Sequence, residues 1–97
     1  MEIEKKLEGT VLNVVLKGRL DTTTSVTLSA SLEGESGFTD IHFDFAELEY
    51  LSSSGLRLLF SYQKKLGGKE HVVVKNANAV ILEIFRVTGF ARQITIE

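Results

Sequence analysis

The stretch that decides the fold runs from Asp44 to Leu66, DFAELEYLSSSGLRLLFSYQKKL. It reads as the end of a buried strand, a short loop, a serine run with a glycine, and then an amphipathic helix. Ser52, Ser53 and Ser54 fall where that helix must begin. The first N–H groups of a helix lack intrahelical partners, and the macrodipole makes that end positive. A hydroxyl cap, a bound anion or a phosphate carried by the serine itself all suit such a position. Beyond the loop, Leu58, Leu59, Tyr62 and Leu66 share one stripe, widened by Leu56 and Phe60, while Arg57, Ser61, Lys64 and Lys65 form the opposite face. The two lysines suit the negative end of the dipole, and Gly67-Gly68 ends the helix, which spans about Ser54 to Leu66.

Working outward, Asp40 to Phe45 alternates Ile41, Phe43 and Phe45 with His42 and Asp44, the pattern of a strand that closes at Asp44. Ala46 to Leu51 then reads as a connection with Leu48 and Leu51 turned inward. Met1 to Glu8 alternates weakly and predicts an edge strand. Gly9-Thr10 predicts a turn, and Val11 to Leu16 a more buried strand paired with the first as a hairpin and stopped by Gly18. Glu70 to Lys75, with Val72, Val73 and Val74 in a row, predicts a strand buried on both faces. Asn76 is suited to cap a helix from Ala77 to about Thr88, with Val80, Ile81, Ile84 and Val87 inward and Phe85 beside them. Gly89 suits its C-terminus, and Gln93 to Glu97 closes the chain as a short strand. Thr22 to Leu32 is the ambiguous segment. Val26, Leu28, Ala30 and Leu32 alternate with Thr27, Ser29 and Ser31, which by period alone is a half-buried strand. Helical spacing, through Val26, Ala30 and Glu33 or Leu28 and Leu32, fits less well.

The order of these motifs resembles the STAS domain, the family of anti-sigma factor antagonists. The family's strand ending in Asp-Phe is matched by Asp44-Phe45, and its Asp-Ser-Ser-Gly-Leu helix opening by Ser52-Ser53-Ser54-Gly55-Leu56. Its Gly-x-Leu/Ile-Asp segment is matched by Gly18-Arg19-Leu20-Asp21, and the turn after its last helix by Thr88-Gly89-Phe90. The match runs from the first strand to the last. It departs at Ser52, where the family commonly carries Asp. The resemblance implies a helix from about Thr23 to Glu33, and this settles the expectation for the ambiguous segment. The expected fold is then α/β in the order β-β-α-β-α-β-α-β: a mixed, mostly parallel sheet of four or five strands with an N-terminal hairpin and about three helices packed on it.

Composition bounds the rest. Ninety-seven residues, 43% apolar and 25% charged, fit a single globular domain spanning 1–97. A net charge of −2 lacks the basic face that nucleic acid or an anionic membrane requires. There is no cysteine for a disulfide framework or a thiolate metal site, and no proline. MEIEKKLEG has no apolar core of a signal peptide, and no apolar run is long enough to span a membrane, so a cytoplasmic protein is expected.

Catalysis is not expected. His42 and His71 are the only imidazoles, each reads as solvent-facing or already partnered, and the serines do not form a Gly-x-Ser-x-Gly elbow. Glu47 and Glu49 read as an exposed loop pair. No cofactor or metal is expected, since there is no phosphate-binding Gly-x-x-x-x-Gly-Lys-Ser/Thr loop and no ligand cluster. What the resemblance implies instead is a phosphorylation-controlled interaction module. Its modified residue would be Ser54, with Ser53 as the alternative. Its docking surface would comprise Asp21, Ser52, Ser53, Ser54, Gly55 and Arg57, and its partners an anti-sigma factor serine kinase and a phosphatase. Asp21 reads both as an acidic neighbour of Ser54 and as the cap of the following helix. A constitutive docking subunit of a larger transport or signalling complex, with the serines as plain helix caps, and a small nucleotide-binding protein are the other readings.

Overall fold

The computed structural model describes all of residues 1–97. Seven residues, Glu2–Glu8, form β1, and a turn at Gly9-Thr10 returns the chain antiparallel as β2, Val11–Leu20. The helix α1, Thr22–Glu33, leads to β3, Asp40–Leu51, and α2, Ser53–Leu66, leads through a short 3-10 turn to β4, Val72–Lys75. The helix α3, Ala79–Val87, and a second 3-10 turn deliver the last strand, β5, Thr95–Ile96. The sheet order is β1-β2-β3-β4-β5, parallel everywhere except at the opening hairpin. Each crossover moves the chain one strand further in the same direction. With the usual handedness this places the helices on one face of the sheet.

The burial pattern agrees with a sheet covered on one side. Leu12, Val14 and Leu16 of β2 and Ile41, Phe43 and Phe45 of β3 are buried, whereas the alternate residues are half-exposed. The buried set joins Leu28 and Leu32 of α1, Leu59 and Tyr62 of α2 and Ile81 and Phe85 of α3 in one core. Val72, Val73 and Val74 of β4 are all buried.

Thr22–Glu33 is a helix despite its alternating pattern. Only Ser25, Leu28 and Leu32 are buried, at spacings of three and four, and Val26 is 69% exposed. The alternation of apolar residues is therefore incidental: half of them face water. Asp21 and Thr24 close the helix start reciprocally, and this local chemistry, together with the crossover geometry, overrides the strand-like period.

Several expected boundaries move. Gly18 does not stop β2; the strand bends through it at φ 102°, with shifts of register on either side, and continues to Leu20. Asp44 does not close β3, which runs on to Leu51, so the segment read as a connection is strand. Leu48 and Leu51 do turn inward. Glu70 and His71 lie in the 3-10 turn rather than in β4. The cap of α3 is Asn78, whose side chain accepts from the Ile81 N–H, while Asn76 adopts φ 61° and donates to Asp44. Val80 and Val87, read as inward, face outward at 68% and 63% exposure, and Ile81 and Phe85, one turn apart, face the core. The closing strand, Thr95–Ile96, is shorter than Gln93 to Glu97, since Gln93 ends the 3-10 turn of Phe90–Arg92 with its N–H on the Phe90 carbonyl.

Candidate functional site

The serine loop stands at the C-terminal end of β3, beside the C-terminal end of β2. Leu51 pairs with Leu20 across the two strands, and the Ser52 N–H donates to the Leu20 carbonyl at 2.9 Å. This bond turns the chain out of the sheet and into α2. Ser52 is the cap of that helix: its backbone is extended and its Oγ accepts from the Gly55 N–H at 3.2 Å. Gly55 is buried against β2 and β3, where a Cβ would come within 2.7 Å of Leu51 Cδ1 and 2.9 Å of Leu20 Cγ. Glycine is required here by close approach.

With Ser52 capping, the other two serines are left outside that role. Ser53 is exposed in the first helical position. Ser54, in the second, is half-buried; its Oγ lies 3.2 Å from Thr22 Oγ1 and accepts from the Arg57 guanidinium at 3.3 Å. Arg57 is exposed and pairs with no carboxylate. The structure thus brings Ser54, Arg57 and the start of α1 together at the top of the sheet.

Asp21 takes the capping role. Its carboxylate accepts from the Thr24 N–H at 3.0 Å, and the Thr24 hydroxyl accepts from the Asp21 N–H at 2.8 Å. The Thr24 backbone and side-chain bonds hold the Asp21 carboxyl below the usual carboxylate range. Asp21 makes no hydrogen bond to the serine loop; the α1 side chain that reaches Ser54 is its neighbour Thr22. Thr22 was not singled out by the sequence, because one hydroxyl in a Thr-Thr-Thr-Ser run carries no mark of its own. Its position directly after the Gly-x-Leu-Asp segment was the available signal.

Between α1 and α2 opens a groove of about 490 Å³ that begins at Thr22, Ser54 and Arg57. On the other side of Arg57 a smaller one, about 350 Å³, lies between Phe60 of α2 and the Thr88-Gly89-Phe90 turn. Both histidines lie elsewhere. His71 Nδ1 is bonded to the Asp40 carboxylate at the opposite end of β3, and this bond raises the imidazole above its ordinary value. His42 is half-buried on β3 with its Nδ1 unpartnered. Neither forms a pair with a serine of the loop. No group of three or more His, Cys, Asp or Glu side chains is arranged to hold a metal ion, and no helix is long and apolar enough to cross a membrane.

The fold is shared with solved structures. The chain is similar to the anti-sigma factor antagonist SpoIIAA in its unphosphorylated form, with a TM-score of 0.83 at 17% identity over 99% of this chain and 88% of that one. The phosphorylated form of the Bacillus cell fate determinant SpoIIAA gives 0.76 at 17% identity over 99% and 91%. An anti-sigma factor antagonist from Mycobacterium paratuberculosis gives 0.77 at 18% identity over 98% and 83%. At such identities the likeness is one of fold. None of the curated proteins matches the sequence significantly. The family model described as "Mlab, STAS domain" matches residues 3–96, nearly the whole chain, and this protein belongs to the STAS family.

Proposed function

We propose that this protein is a non-enzymatic, cytoplasmic interaction module of the anti-sigma factor antagonist kind. It binds an anti-sigma factor kinase while Ser54 is unmodified, and that association frees a sigma factor. The observation that carries the proposal is the division of labour among the serines. Ser52 caps α2, so the Ser54 hydroxyl is not committed to the helix and lies at its positive end, beside Arg57 and Thr22. A phosphate there adds about −1.5 to −2 charge units and is tolerated by the helix end, so the domain stays folded. Its effect falls on the partner. A hydrogen-bonded hydroxyl is inexpensive to cover, whereas a dianion is not. A phosphatase restores the binding state. The SpoIIAA structures, one unphosphorylated and one phosphorylated, support the reading as relatives in fold.

Intact-mass and peptide-mass analysis of the protein from its own host tests the modification. A phosphate on Ser54 or Ser53 is the expected result. Replacing Ser54 by Asp should weaken binding to the kinase while the melting curve stays unchanged; equal affinity for the Ser54→Asp protein sinks the switch.

A second reading is favoured by one observation: Ser52 stands where the family commonly carries Asp. On that reading the chain is a constitutive docking subunit of a larger complex and uses the same surface without modification. Absence of phosphate across growth conditions, with stable co-purification of a partner, supports this alternative.

A further inference from the structure

The groove between α1 and α2 is charged at both ends and mostly uncharged between them. Thr22, Ser25, Val26, Ser29 and Glu33 line it along one stripe of α1. Those eleven steps cover roughly 16 Å at about 1.5 Å per residue. At the Thr22 end the wall of α2 contributes Ser54 and Arg57, and the nearby Asp21 carboxylate is turned onto Thr24. At the far end Glu33 makes no ion pair; its charge contributes to raising the Tyr62 phenol, after burial, and Lys65 lies over the Tyr62 ring at 5.3 Å. Arg57 likewise faces no carboxylate within ion-pair distance.

Two features between the ends call for an occupant. Val26 is 69% exposed beside small neighbours, Ser29 and Ala30, that let another backbone come close. Ser25 is 7% exposed, and its Oγ has no hydrogen-bond partner. Buried hydroxyls are almost always bonded, and leaving one unpartnered carries a desolvation cost. Ser25 stands in the wall of the groove with its Oγ covered, so a rotation of this one side chain toward a polar atom lowered onto α1 would satisfy it.

We propose that this groove takes a helix of a partner protein with a defined order of side chains: an acid against Arg57, small or apolar residues over Val26 with a polar atom at Ser25, and a base against Glu33. The proposal rests on the docking reading above and adds the chemistry of the partner. A groove that follows α1 for this length, with α2 walling its Thr22 end, fits the helix-in-groove mode of recognition, and the charges at its ends fix which way the helix lies. It also gives the switch a local cause. Arg57 already donates to Ser54 Oγ at 3.3 Å, so a phosphate on that oxygen would engage the guanidinium that the partner's acid requires.

Three synthetic helix-forming peptides of equal length and apolar content test this against the full chain. One carries Glu near one end and Lys near the other, one Glu at both, and one Lys at both. Titrations followed by amide chemical shifts should move Thr22, Val26, Ser29 and Arg57, with the mixed peptide bound about threefold to tenfold tighter than the others. Arg57→Glu should transfer the preference to the two-lysine peptide, and Glu33→Lys to the two-glutamate peptide. The double variant should restore preference for the mixed one. Both positions are exposed, and circular dichroism verifies the fold of each variant. A ranking indifferent to these reversals, shifts confined to other surfaces, or no saturable binding by any peptide overturns the proposal. So does concentration-dependent self-association abolished by either reversal, which would make a second copy the occupant. The probes need neither kinase nor phosphate. Charge-ordered binding without any phosphate on Ser54 removes the switch and keeps the groove, and phosphorylation without charge order does the opposite.

Discussion

The two helix starts that meet at the serine loop use the same chemistry and close differently. At α1 the cap is reciprocal: Asp21 accepts from the Thr24 N–H, and Thr24 accepts from the Asp21 N–H. At α2 it is one-sided. Ser52 accepts from the Gly55 N–H, but Gly55, in the position equivalent to Thr24, has no side chain with which to answer. The cause is steric, since Leu20 and Leu51 occupy the space a side chain would need. The Ser52 N–H is satisfied instead by the Leu20 carbonyl, so the sheet supplies what the helix cannot. One start is thus sealed by its own residues, and the other is anchored to a strand with the Ser53 and Ser54 hydroxyls outside the capping scheme. Hydroxyl-rich helix starts are common; what distinguishes this one is which hydroxyl the helix does not need.

The strongest way to break the comparison is to give Gly55 a side chain. Gly55→Ala gains up to about 1 kcal/mol of helix propensity. Against this, the new methyl meets Leu20 and Leu51, which are 0% and 3% exposed and have little room to yield. Overpacking of this kind costs about 1–3 kcal/mol, so a net loss is expected, larger for Gly55→Val. Urea unfolding should show a lower midpoint; an unchanged or higher midpoint would mean that the close approach does not govern the site. Next in size is Ser52→Ala. Loss of a cap costs about 1 kcal/mol. Ser52→Asp should hold or slightly raise stability, by up to about 1 kcal/mol, because a carboxylate both caps and complements the dipole. A Ser52→Ala protein as stable as wild type would remove the one-sided cap.

The start of α2 was legible because its chemistry is concentrated in adjacent residues. A serine run before Gly55 and an apolar stripe beyond it mark a helix start whatever the surroundings, and Gly18 to Asp21 and Thr88 to Phe90 stand at the matching places. The choice among the serines was less accessible. It depends on where the Ser52 N–H goes, and its acceptor, Leu20, is more than thirty residues away. The alternation from Val26 to Leu32 pointed to a strand because period cannot tell which apolar residues face water; Val26 does, and Ser25 does not. The same blindness applied to α3, where Val80 and Val87 were read as inward and both face water, while Ile81 and Phe85 are buried. The extension of β3 beyond Asp44 came from pairing of Glu47, Leu48, Tyr50 and Leu51 with β2, a non-local bond pattern without a local sequence mark.

The sealed start should also reveal itself through pH. The Asp21 carboxyl is depressed chiefly by its bonds from Thr24, relative to an ordinary value of 3.8. A group depressed on folding contributes stability above its unfolded value and loses it as pH falls through the folded one. Asn caps as well as Asp, so Asp21→Asn isolates the charge. Thermal melts should place wild type a few degrees above Asp21→Asn at neutral pH, with the gap closing in strong acid. His71, raised by Asp40, has the opposite sign: its contribution is full in acid and fades as pH rises through the folded value. His71 and the other carboxyls are common to both proteins, so the gap between the two melts reports on the Asp21 carboxyl. A gap that persists undiminished into strong acid would show that the cap acts without its charge.

The smallest effect is the most discriminating. Ser54→Ala should change stability by no more than about 0.5 kcal/mol in either direction. Its hydroxyl contacts Thr22 and Arg57, both exposed, so water can replace it for each of them. A capping serine cannot be removed so cheaply, because the orphaned N–H of the helix start would lose its side-chain acceptor. Denaturation of Ser52→Ala and Ser54→Ala under one set of conditions therefore separates the serine that holds the helix from the one that does not. If Ser54→Ala proved the more destabilising, the hydroxyl would be structural and a phosphate on it would strain the fold. If it is neutral, Ser54 is a position the domain can modify without paying in stability, which a switch acting only on a partner requires.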